Sequence, residues 1–173
     1  MTEYLDIVNE KDEVVGKDTR ENVHKKYQIH RGIHNFVLNQ KGEILLQKRS
    51  KKKDYYPGYY DASVGAQVLS GESYEKAALQ ETQEELGFKP QILEKICDYK
   101  SFSPRQKEIR RLFVCKYDGP FYTNKEEVES VKFYSPKTIH EGIIKGKVKF
   151  TEGFKISFGH YLKYRSSLDL KPT

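Results

Sequence analysis

The fold is decided by the stretch Gly65–Phe88, which reads GAQVLSGESYEKAALQETQEELGF. A glycine-bearing turn opens it, and an acidic helix follows that ends with the carboxylates of Glu81, Glu84 and Glu85. Spacings of three and four residues place these side chains on one helical face, with Cβ atoms about 5–6 Å apart. Like charges on one exposed face repel each other, so the pattern favours a bound cation over an ordinary solvated helix face. Carboxylate oxygens suit a hard ion, and Mg²⁺ is expected, with Mn²⁺ as a second candidate.

Residues that cap helices mark both ends of this helix. Ser73 is the expected N-cap, because its hydroxyl can accept a hydrogen bond from a free backbone N–H of the first turn. Gly87 is the expected stop, since glycine adopts the left-handed conformation that commonly ends a helix. The buried side of the helix is expected to consist of Tyr74, Ala77, Ala78, Leu79, Thr82 and Leu86.

Length and composition predict one globular domain in the cytoplasm. The chain of 173 residues is long enough for one sizeable core and too short for two comfortable domains. Cys97 and Cys115 lack the spacing of metal ligands or of a disulfide framework, so a reducing compartment is expected. No apolar run approaches the roughly 18 residues of a membrane span. The first residues, MTEYLD, do not resemble a secretion leader either.

The rest of the chain is predicted to alternate between strands and short helices. Alternating apolar and polar residues predict a hairpin over Tyr4–Lys17, and Thr19 is positioned to cap a helix that ends near Lys26. Further strands are expected at Ile33–Leu38, Ile44–Gln47, Asp61–Val64, Ile92–Tyr99, Ile109–Tyr117 and Val128–Tyr134. Two more helices are expected at Pro136–Ile144 and Phe154–Arg165.

The central stretch resembles the Nudix box. That motif reads glycine, five residues, glutamate, seven residues, and then Arg-Glu-apolar-any-Glu-Glu-any-Gly-apolar. The matching positions of this chain are Glu72, Glu81, Glu84, Glu85, Gly87 and Phe88. The resemblance implies an α/β fold, the Nudix α/β/α sandwich around a mixed sheet, in a single domain. Residues 29–166 would form the Nudix domain, residues 1–28 would add the hairpin and short helix to it, and residues 167–173 would be a loose tail.

Three residues depart from the box, namely Ala66 at the first glycine, Gln80 at the arginine and Thr82 at the apolar position. The family's arginine helps to orient the glutamates. Gln80 can donate a hydrogen bond but cannot form a charged fork, so weaker metal affinity or an altered rate is expected. A non-catalytic diphosphate-binding protein is therefore an alternative to an enzyme.

The segment from His30 to Ala66 resembles the Nudix branch that includes the type 1 isopentenyl-diphosphate isomerases. Those enzymes carry a Ser-Val-Cys-Gly-His run with a catalytic cysteine and a metal-binding histidine, whereas this chain has SVGAQ, with Gly65 and Gln67 at those two positions. Isomerisation of a double bond needs an acid and a base on opposite faces, and glycine can be neither. Hydrolysis is therefore favoured, with isomerase-like activity as an alternative. His30 and His34 are either a relic of that site or a polar pair on a strand.

The resemblance implies a magnesium-dependent hydrolase that cleaves a diphosphate linkage in a nucleoside diphosphate derivative or a related small diphosphate. The expected metal ligands are Glu81, Glu84, Glu85 and the carbonyl of Gly65, and the expected catalytic residues are Glu81, Glu84, Glu85, Glu72 and Gln80. Glu81 is the expected proton acceptor by its family position. Glu108 and the pair Glu126-Glu127 are the alternatives, although each can equally be a surface charge.

Basic and aromatic residues before the box are candidates for substrate binding. Arg49, Lys52 and Lys53 can clamp phosphates, since guanidinium and ammonium groups complement negative charge. Tyr56 belongs to YYPGYY at 55–60, which is either a stacking wall or a packed turn. The formal net charge of +6 does not separate nucleic acid from a phosphorylated small molecule. A small-molecule diphosphate is the expected partner, neither nucleic acid nor a membrane is expected, and the sequence carries no signal for an oligomeric state.

Overall fold

The computed structural model describes residues 1–169, and within them the chain forms nine strands and four helices. The strands are β1 (Tyr4–Val8), β2 (Val14–Thr19), β3 (Ile29–Leu38), β4 (Ile44–Arg49), β5 (Tyr60–Asp61), β6 (Val64–Gln67), β7 (Glu94–Phe102), β8 (Lys107–Lys116) and β9 (Val128–Tyr134). The helices are α1 (Arg20–Lys25), α2 (Tyr74–Leu86), α3 (Pro136–Lys145) and α4 (Glu152–Asp169). None of these helices combines the length and the apolarity needed to cross a membrane.

The sheet is mixed and is built around β3. This strand pairs in parallel with β8 along its whole length, from Ile29 opposite Lys107 to Leu38 opposite Lys116. Its antiparallel partners are β1, β4 and β6. The sheet then extends through β2, β5, β7 and β9, each of which pairs antiparallel with its neighbour. The short strand β6 brings Gly65 directly opposite His34 of β3.

Helices cover both faces of the sheet, which confirms the predicted α/β/α sandwich. One core packs α2 against the sheet and contains Ile33, Val37, Leu45, Phe113 and Leu86. The other core packs α3 and α4 against the opposite face and contains Phe36, Leu46, Leu112, Ile139 and Phe158. Successive residues of β3, β4 and β8 alternate between the two cores, as expected for strands buried on both faces.

Most of the predicted elements are confirmed, and the caps agree with their sequence signals. The Oγ of Ser73 accepts a hydrogen bond from the backbone N–H of Lys76 at 3.1 Å, and Gly87 ends α2 in the left-handed conformation. Thr19 caps α1 in the same way, through the backbone N–H of Asn22. The N-terminal hairpin and the last two helices also form.

Three predictions about strands and turns were wrong. The predicted strand Asp61–Val64 is interrupted, because the Ser63 hydroxyl bonds to backbone groups of neighbouring strands, accepting from the N–H of Val37 at 2.8 Å. Gly65 lies within β6 rather than in a turn. The strand predicted from Ile92 starts instead at Glu94, and Ile92 is 78% exposed.

Two further predictions, on the buried side of α2 and on the end of α4, were partly wrong. Leu79 is only partly buried, so the apolar side of α2 is narrower than predicted. Helix α4 continues to Asp169, so residues 167–169 of the predicted loose tail are helical. The last four residues of that tail lie outside the described residues.

Gly87 is required by space as well as by backbone conformation. A Cβ atom at this position would lie 2.8 Å from Cβ of Tyr122, whereas a Cβ at Gly71, which has a similar φ of 81°, would meet nothing within 4 Å. We therefore expect Gly71→Ala to lower the free energy of unfolding by about 1 kcal/mol, through the left-handed conformation alone. Gly87→Ala should lower the free energy of unfolding by clearly more, because the added Cβ would also collide with Tyr122. Urea unfolding of both variants measures the difference, and equal losses would contradict the crowding at Tyr122.

Candidate active site

The three glutamates of α2 differ in their exposure. Glu84 is exposed, Glu81 is partly buried and Glu85 is only 8% exposed. The expectation of three carboxylates on one exposed face was therefore wrong, because the helix turns Glu85 towards the sheet. There the amide of Gln47 on β4 donates a hydrogen bond to Oε2 of Glu85 at 3.1 Å.

The two partly or fully buried glutamates resist ionisation. Burial, together with the charge of Glu81, raises the pKa of Glu85 to about 8, although the bond from Gln47 acts in the opposite direction. Burial and the charge of Glu84 raise the pKa of Glu81 to about 7. Desolvated carboxylates this close together are unfavourable unless positive charge lies among them. A divalent cation would supply that charge.

The donor set fits an open metal site rather than a closed one. Within residues 1–169, no three side chains of His, Cys, Asp or Glu converge closely enough to enclose a metal ion. Mg²⁺ commonly takes only one or two protein carboxylates and completes its shell with waters and substrate phosphate oxygens. The hard oxygen donors of α2, beside a cleft that can admit a phosphate, meet this requirement.

The glutamates line a cavity of about 230 Å³, which we call the acidic cavity. Its other walls come from distant parts of the chain. Gly65, whose carbonyl is an expected metal ligand, lies on one wall, and Lys53 and Glu127 lie on another. Lys53 and Glu127 form an ion pair with each other. The acidic cavity therefore already contains one protein cation next to its carboxylates.

A second cavity of about 160 Å³, which we call the basic cavity, adjoins the first. The two share the lining residues Arg20, Lys53, Gly65, Ala66 and Gln67, so they lie side by side, and we call them together the cleft. Arg49, Arg105 and Arg110 line the basic cavity alone. Carboxylates that can hold a cation thus lie next to several cations that can hold an anion.

The predicted substrate-binding residues separate into two groups. Arg49, Lys53 and Tyr56 line the basic cavity. The Arg49 guanidinium lies 3.5 Å from Asp61 and donates to the backbone carbonyl of Tyr55 at 3.1 Å, which fixes its position. Lys52 lines neither cavity, because its side chain points away and forms an exposed ion pair with Glu126 at 2.6 Å.

The tyrosines of 55–60 lie in two different environments. Tyr55 and Tyr56 line the basic cavity. Tyr60 instead packs edge-on against Tyr134 and lies close to Phe150, as part of the core beside α3 and α4. The segment is therefore a cavity wall at its beginning and a packed strand at its end.

Gln80 and Glu72, the two other predicted catalytic residues, differ in their positions relative to the acidic cavity. Gln80 is exposed on α2 and donates a hydrogen bond to Oε1 of Glu84 at 3.0 Å, which is the orienting contact that its amide permits. Glu72 lies before the helix and pairs with Lys76 at 2.9 Å. It lines neither cavity, so in this structure it contacts the helix start and not the cleft.

Thr82, at the apolar position of the box, has a polar partner inside the protein. The amide of the buried Asn35 on β3 donates to Oγ1 of Thr82 at 2.9 Å, and Thr82 donates in turn to the carbonyl of Ala78 at 2.7 Å. A hydroxyl is accommodated here because β3 supplies a matching donor. The departure from the family pattern is therefore compensated.

The two positions that distinguish the isomerases carry neither a thiol nor an imidazole in this chain, since they are Gly65 and Gln67. A Cβ atom on Gly65 would lie 3.1 Å from Cδ2 of His34, so a cysteine there would require the imidazole to move. The amide nitrogen of Gln67 lies 2.6 Å from Nε2 of His24 and 3.1 Å from Nε2 of His30. At position 67, where the isomerases have their metal-binding histidine, the imidazoles of His24 and His30 therefore contact an amide group.

His30 and His34 belong to a buried polar network that also contains Glu108 and Arg110. The Arg110 guanidinium donates to Nε2 of His34 at 2.6 Å and to Glu108 at 2.6 Å, while Nδ1 of His34 lies 2.9 Å from the Ser157 hydroxyl. Burial and the charge of Arg110 hold the pKa of His34 well below its usual value. The interpretation of the two histidines as a structural polar pair is supported by these contacts.

Glu108 is not a surface charge, as one interpretation of the sequence had it, because it is only 1% exposed. Burial opposes its ionisation, but Arg110 and His30 lower the pKa of Glu108 to about 2. Of the other two carboxylates considered as proton acceptors, Glu127 lines the acidic cavity and Glu126 remains exposed at Lys52.

Several residues of the cleft have no local signal in the sequence. They are Arg20, Gln47, Gln67, Arg105 and Arg110. Each reaches the site through strand pairing or loop packing between segments far apart in the chain. Only a basic residue followed by an aromatic cluster, as at Arg49, could be recognised as a cavity wall beforehand.

Comparisons with known proteins agree with this geometry. The sequence model of the family described as NUDIX domain matches residues 28–154. A relative in Escherichia coli K12, named uncharacterized Nudix hydrolase YfcD, is 34% identical over 141 residues that cover 80% of this chain and 77% of the relative.

Solved structures show the same fold. The crystal structure of DR0079 from Deinococcus radiodurans superposes with a TM-score of 0.79 at 26% identity, covering 89% of this chain and 96% of that one. The NUDIX domain of Shewanella oneidensis NrtR, crystallised with ADP ribose, superposes with a TM-score of 0.61 at 13% identity, covering 87% and 99%. The family match spans most of the chain and its glutamates lie in the cleft, and the chain belongs to the Nudix hydrolase family.

Proposed function

We propose that this Nudix hydrolase depends on Mg²⁺ and cleaves the diphosphate linkage of a nucleoside diphosphate derivative or a related small diphosphate, with water as the nucleophile. The observation that carries the proposal is that the acidic and basic cavities adjoin at Lys53 and Gly65, which line both. A diphosphate can therefore lie with one side at the glutamates and the other at the cations. Mn²⁺ has the same preference for oxygen ligands and would serve as a substitute.

The residues of α2 have separate tasks in this proposal. Glu81, Glu84 and Glu85 are the proposed carboxylate ligands, of which one or two at a time would hold the cation beside the carbonyl of Gly65, while waters and substrate oxygens complete its shell. A divalent ion in this position supplies charge neutralisation of the diphosphate and activation of the attacking water. Glu81 is the proposed proton acceptor by its family position, and Glu127 across the cavity is the second candidate.

The basic residues would hold the substrate and compensate its charge. Lys53 lies at the junction of the two cavities, where it can exchange its ion pair with Glu127 for a phosphate oxygen. Arg49 is held by Asp61 and by the Tyr55 carbonyl, so its remaining N–H groups have a fixed direction. Pre-positioned cations of this kind stabilise the negative charge that develops during phosphoryl transfer.

Isomerisation is disfavoured by the contacts of Gly65 and Gln67. Gly65 carries no side chain to donate or accept a proton, and the Gln67 amide lies between two imidazoles. A cytoplasmic location goes with the proposal, since Cys97 and Cys115 are both free thiols.

An assay with Mg²⁺ in ¹⁸O-labelled water tests the proposal. ADP-ribose is a suitable first probe because the NUDIX domain of NrtR, which shares the fold, was crystallised with it. We expect hydrolysis of ADP-ribose or of another nucleoside diphosphate derivative in a broad panel, with ¹⁸O in one product phosphate and no activity in EDTA. Isopentenyl diphosphate in deuterated water should take up no deuterium. Deuterium uptake by it, without hydrolysis of any member of the panel, would overturn the proposal.

A further inference from the structure

The basic cavity continues beyond the place proposed for the diphosphate. Lys53 and Arg20 line both cavities and therefore lie at their junction. Arg105, in the turn between β7 and β8, lines the basic cavity alone. A ligand group at Arg105 would therefore lie in the cavity that the glutamates do not line.

Arg105 differs from the other cations of this cavity because it has no carboxylate partner within residues 1–169. Each of the others forms an ion pair, and the pairs are Arg20–Glu3, Arg49–Asp61, Lys53–Glu127 and Arg110–Glu108. The lining contains five Arg or Lys residues and three Asp or Glu residues, so it keeps an excess of positive charge. Arg105 is the cation of this lining whose charge no carboxylate of residues 1–169 neutralises through an ion pair.

The position of Arg105 is nevertheless defined. Its guanidinium carbon lies 5.0 Å from the ring centre of Tyr56 and 5.9 Å from that of Tyr55, which places it against the aromatic wall of the cavity. The Ser103 hydroxyl accepts hydrogen bonds from the backbone N–H groups of Arg105 and Gln106 at 3.3 Å and shapes the turn. A guanidinium packed against rings keeps its N–H edge available for an oxyanion.

The floor of the cavity adds positive potential. The Arg110 guanidinium approaches the first turn of α4 so closely that a Cβ atom on Gly153 would lie 2.5 Å from Nη1. The N-terminal end of a helix carries partial positive charge, so a cation and a helix start face the same space. An anionic ligand group would be attracted to both.

We propose that the part of the basic cavity at Arg105 is a subsite for a phosphate monoester, and that the substrates are nucleoside diphosphate derivatives that carry such a phosphate in addition to the scissile diphosphate. Arg105 binds this phosphate as a guanidinium fork beside Tyr56. The inference rests on the proposed function, since it places the diphosphate at the junction of the cavities.

Two matched pairs of ligands test the subsite. They are ADP-ribose with its 2′-phosphorylated form, and ADP with adenosine 3′-phosphate 5′-diphosphate, each titrated by calorimetry with Ca²⁺ in place of Mg²⁺ at fixed ionic strength. We expect the phosphorylated member of at least one pair to bind about tenfold more tightly, as one charge-assisted fork allows. Equal affinities within both pairs, or no binding of any member, would overturn the proposal.

Variants of the β7–β8 turn locate the effect. Arg105→Ala should weaken binding of the phosphorylated member much more than binding of the unphosphorylated one, so that the difference within the pair disappears, and Arg105→Lys should retain part of it. Lys107→Ala is the matched control, because Lys107 stacks on Tyr27 outside the cavity and should keep the full difference. Loss of the difference in Lys107→Ala, or its persistence in Arg105→Ala, would contradict the assignment.

Hydrolysis of the same ligands with Mg²⁺ reports on the proposed function separately. Selective binding that depends on Arg105, without release of AMP, would support the subsite and count against the hydrolysis. Hydrolysis of these ligands, with equal affinities within both pairs, would support the proposed hydrolysis and count against the subsite.

Discussion

Glu84→Gln is expected to lower the rate of diphosphate hydrolysis at saturating Mg²⁺ by at least about 100-fold, since even outer-shell partners of a metal contribute 10–100-fold. The substitution keeps the shape of the side chain and removes the charge that would hold the cation. The fold should be unaffected, because Glu84 is exposed and, within residues 1–169, its side chain forms one hydrogen bond, with Gln80. Steady-state kinetics over a range of Mg²⁺ concentrations, together with thermal unfolding, separate the two effects.

Glu141→Gln is the matched control for this variant. Glu141 is an exposed helical residue of α3 that lies 3.6 Å from Lys145 and lines neither cavity. An exposed ion pair of this kind contributes only ~0.5 kcal/mol, so both rate and stability should stay near those of the unmodified protein. A Glu84→Gln protein with an unchanged rate would remove Glu84 from the metal site.

Glu108→Gln is expected to lower the free energy of unfolding by about 3 kcal/mol at neutral pH, because it leaves the buried Arg110 without its counter-charge. Glu108 is 1% exposed and Arg110 is 9% exposed, so water can replace only part of the lost interaction. Equilibrium unfolding in urea measures the loss.

The double variant Glu108→Leu/Arg110→Met is the control. Removing both charges leaves no unpaired ion, and apolar replacements of buried ion pairs are often close to neutral in stability. The double variant should therefore be more stable than Glu108→Gln. A double variant that is less stable than Glu108→Gln would contradict this account of the pair.

Acid should remove the stabilisation that this pair provides. Arg110 and His30 hold the pKa of Glu108 at about 2, below its usual value of 4.5, so the folded protein favours the ionised form. The stabilisation is complete above pH 4.5 and is lost as the pH falls towards 2, because the unfolded chain then binds the proton first. The melting temperature of the unmodified protein should therefore fall more steeply over this range than that of Glu108→Gln. If the melting temperatures of the two proteins fell equally with pH, the lowered pKa of Glu108 in the folded protein would be contradicted.

Local signals explain what the sequence could predict. Ser73 and Gly87 act within one turn of the residues that they cap, so both ends of α2 were predictable. The spacing of the glutamates follows from helix geometry alone. The sandwich was predicted from the resemblance to the Nudix family, and the order of the predicted strands and helices agreed with it.

The contacts that shape the cleft depend on pairings far apart in the chain. Gln47 meets Glu85 because β4 lies beneath α2, and Arg110 meets His34 because β8 pairs in parallel with β3. No periodicity within either segment encodes such a register. Lys52 and Lys53 are adjacent in sequence, and only the irregular path of their loop decides that Lys53 alone lines the cleft.

The hydrogen bond between Asn35 and Thr82 has a consequence for how α2 sits on the sheet. An amphipathic helix held by apolar contacts alone can roll about its long axis with little loss of packing. A directional bond at 2.9 Å from the central strand fixes that roll at one angle. The orientation of the glutamates towards the cleft is therefore fixed by a buried polar pair, Asn35 and Thr82, that lines neither cavity.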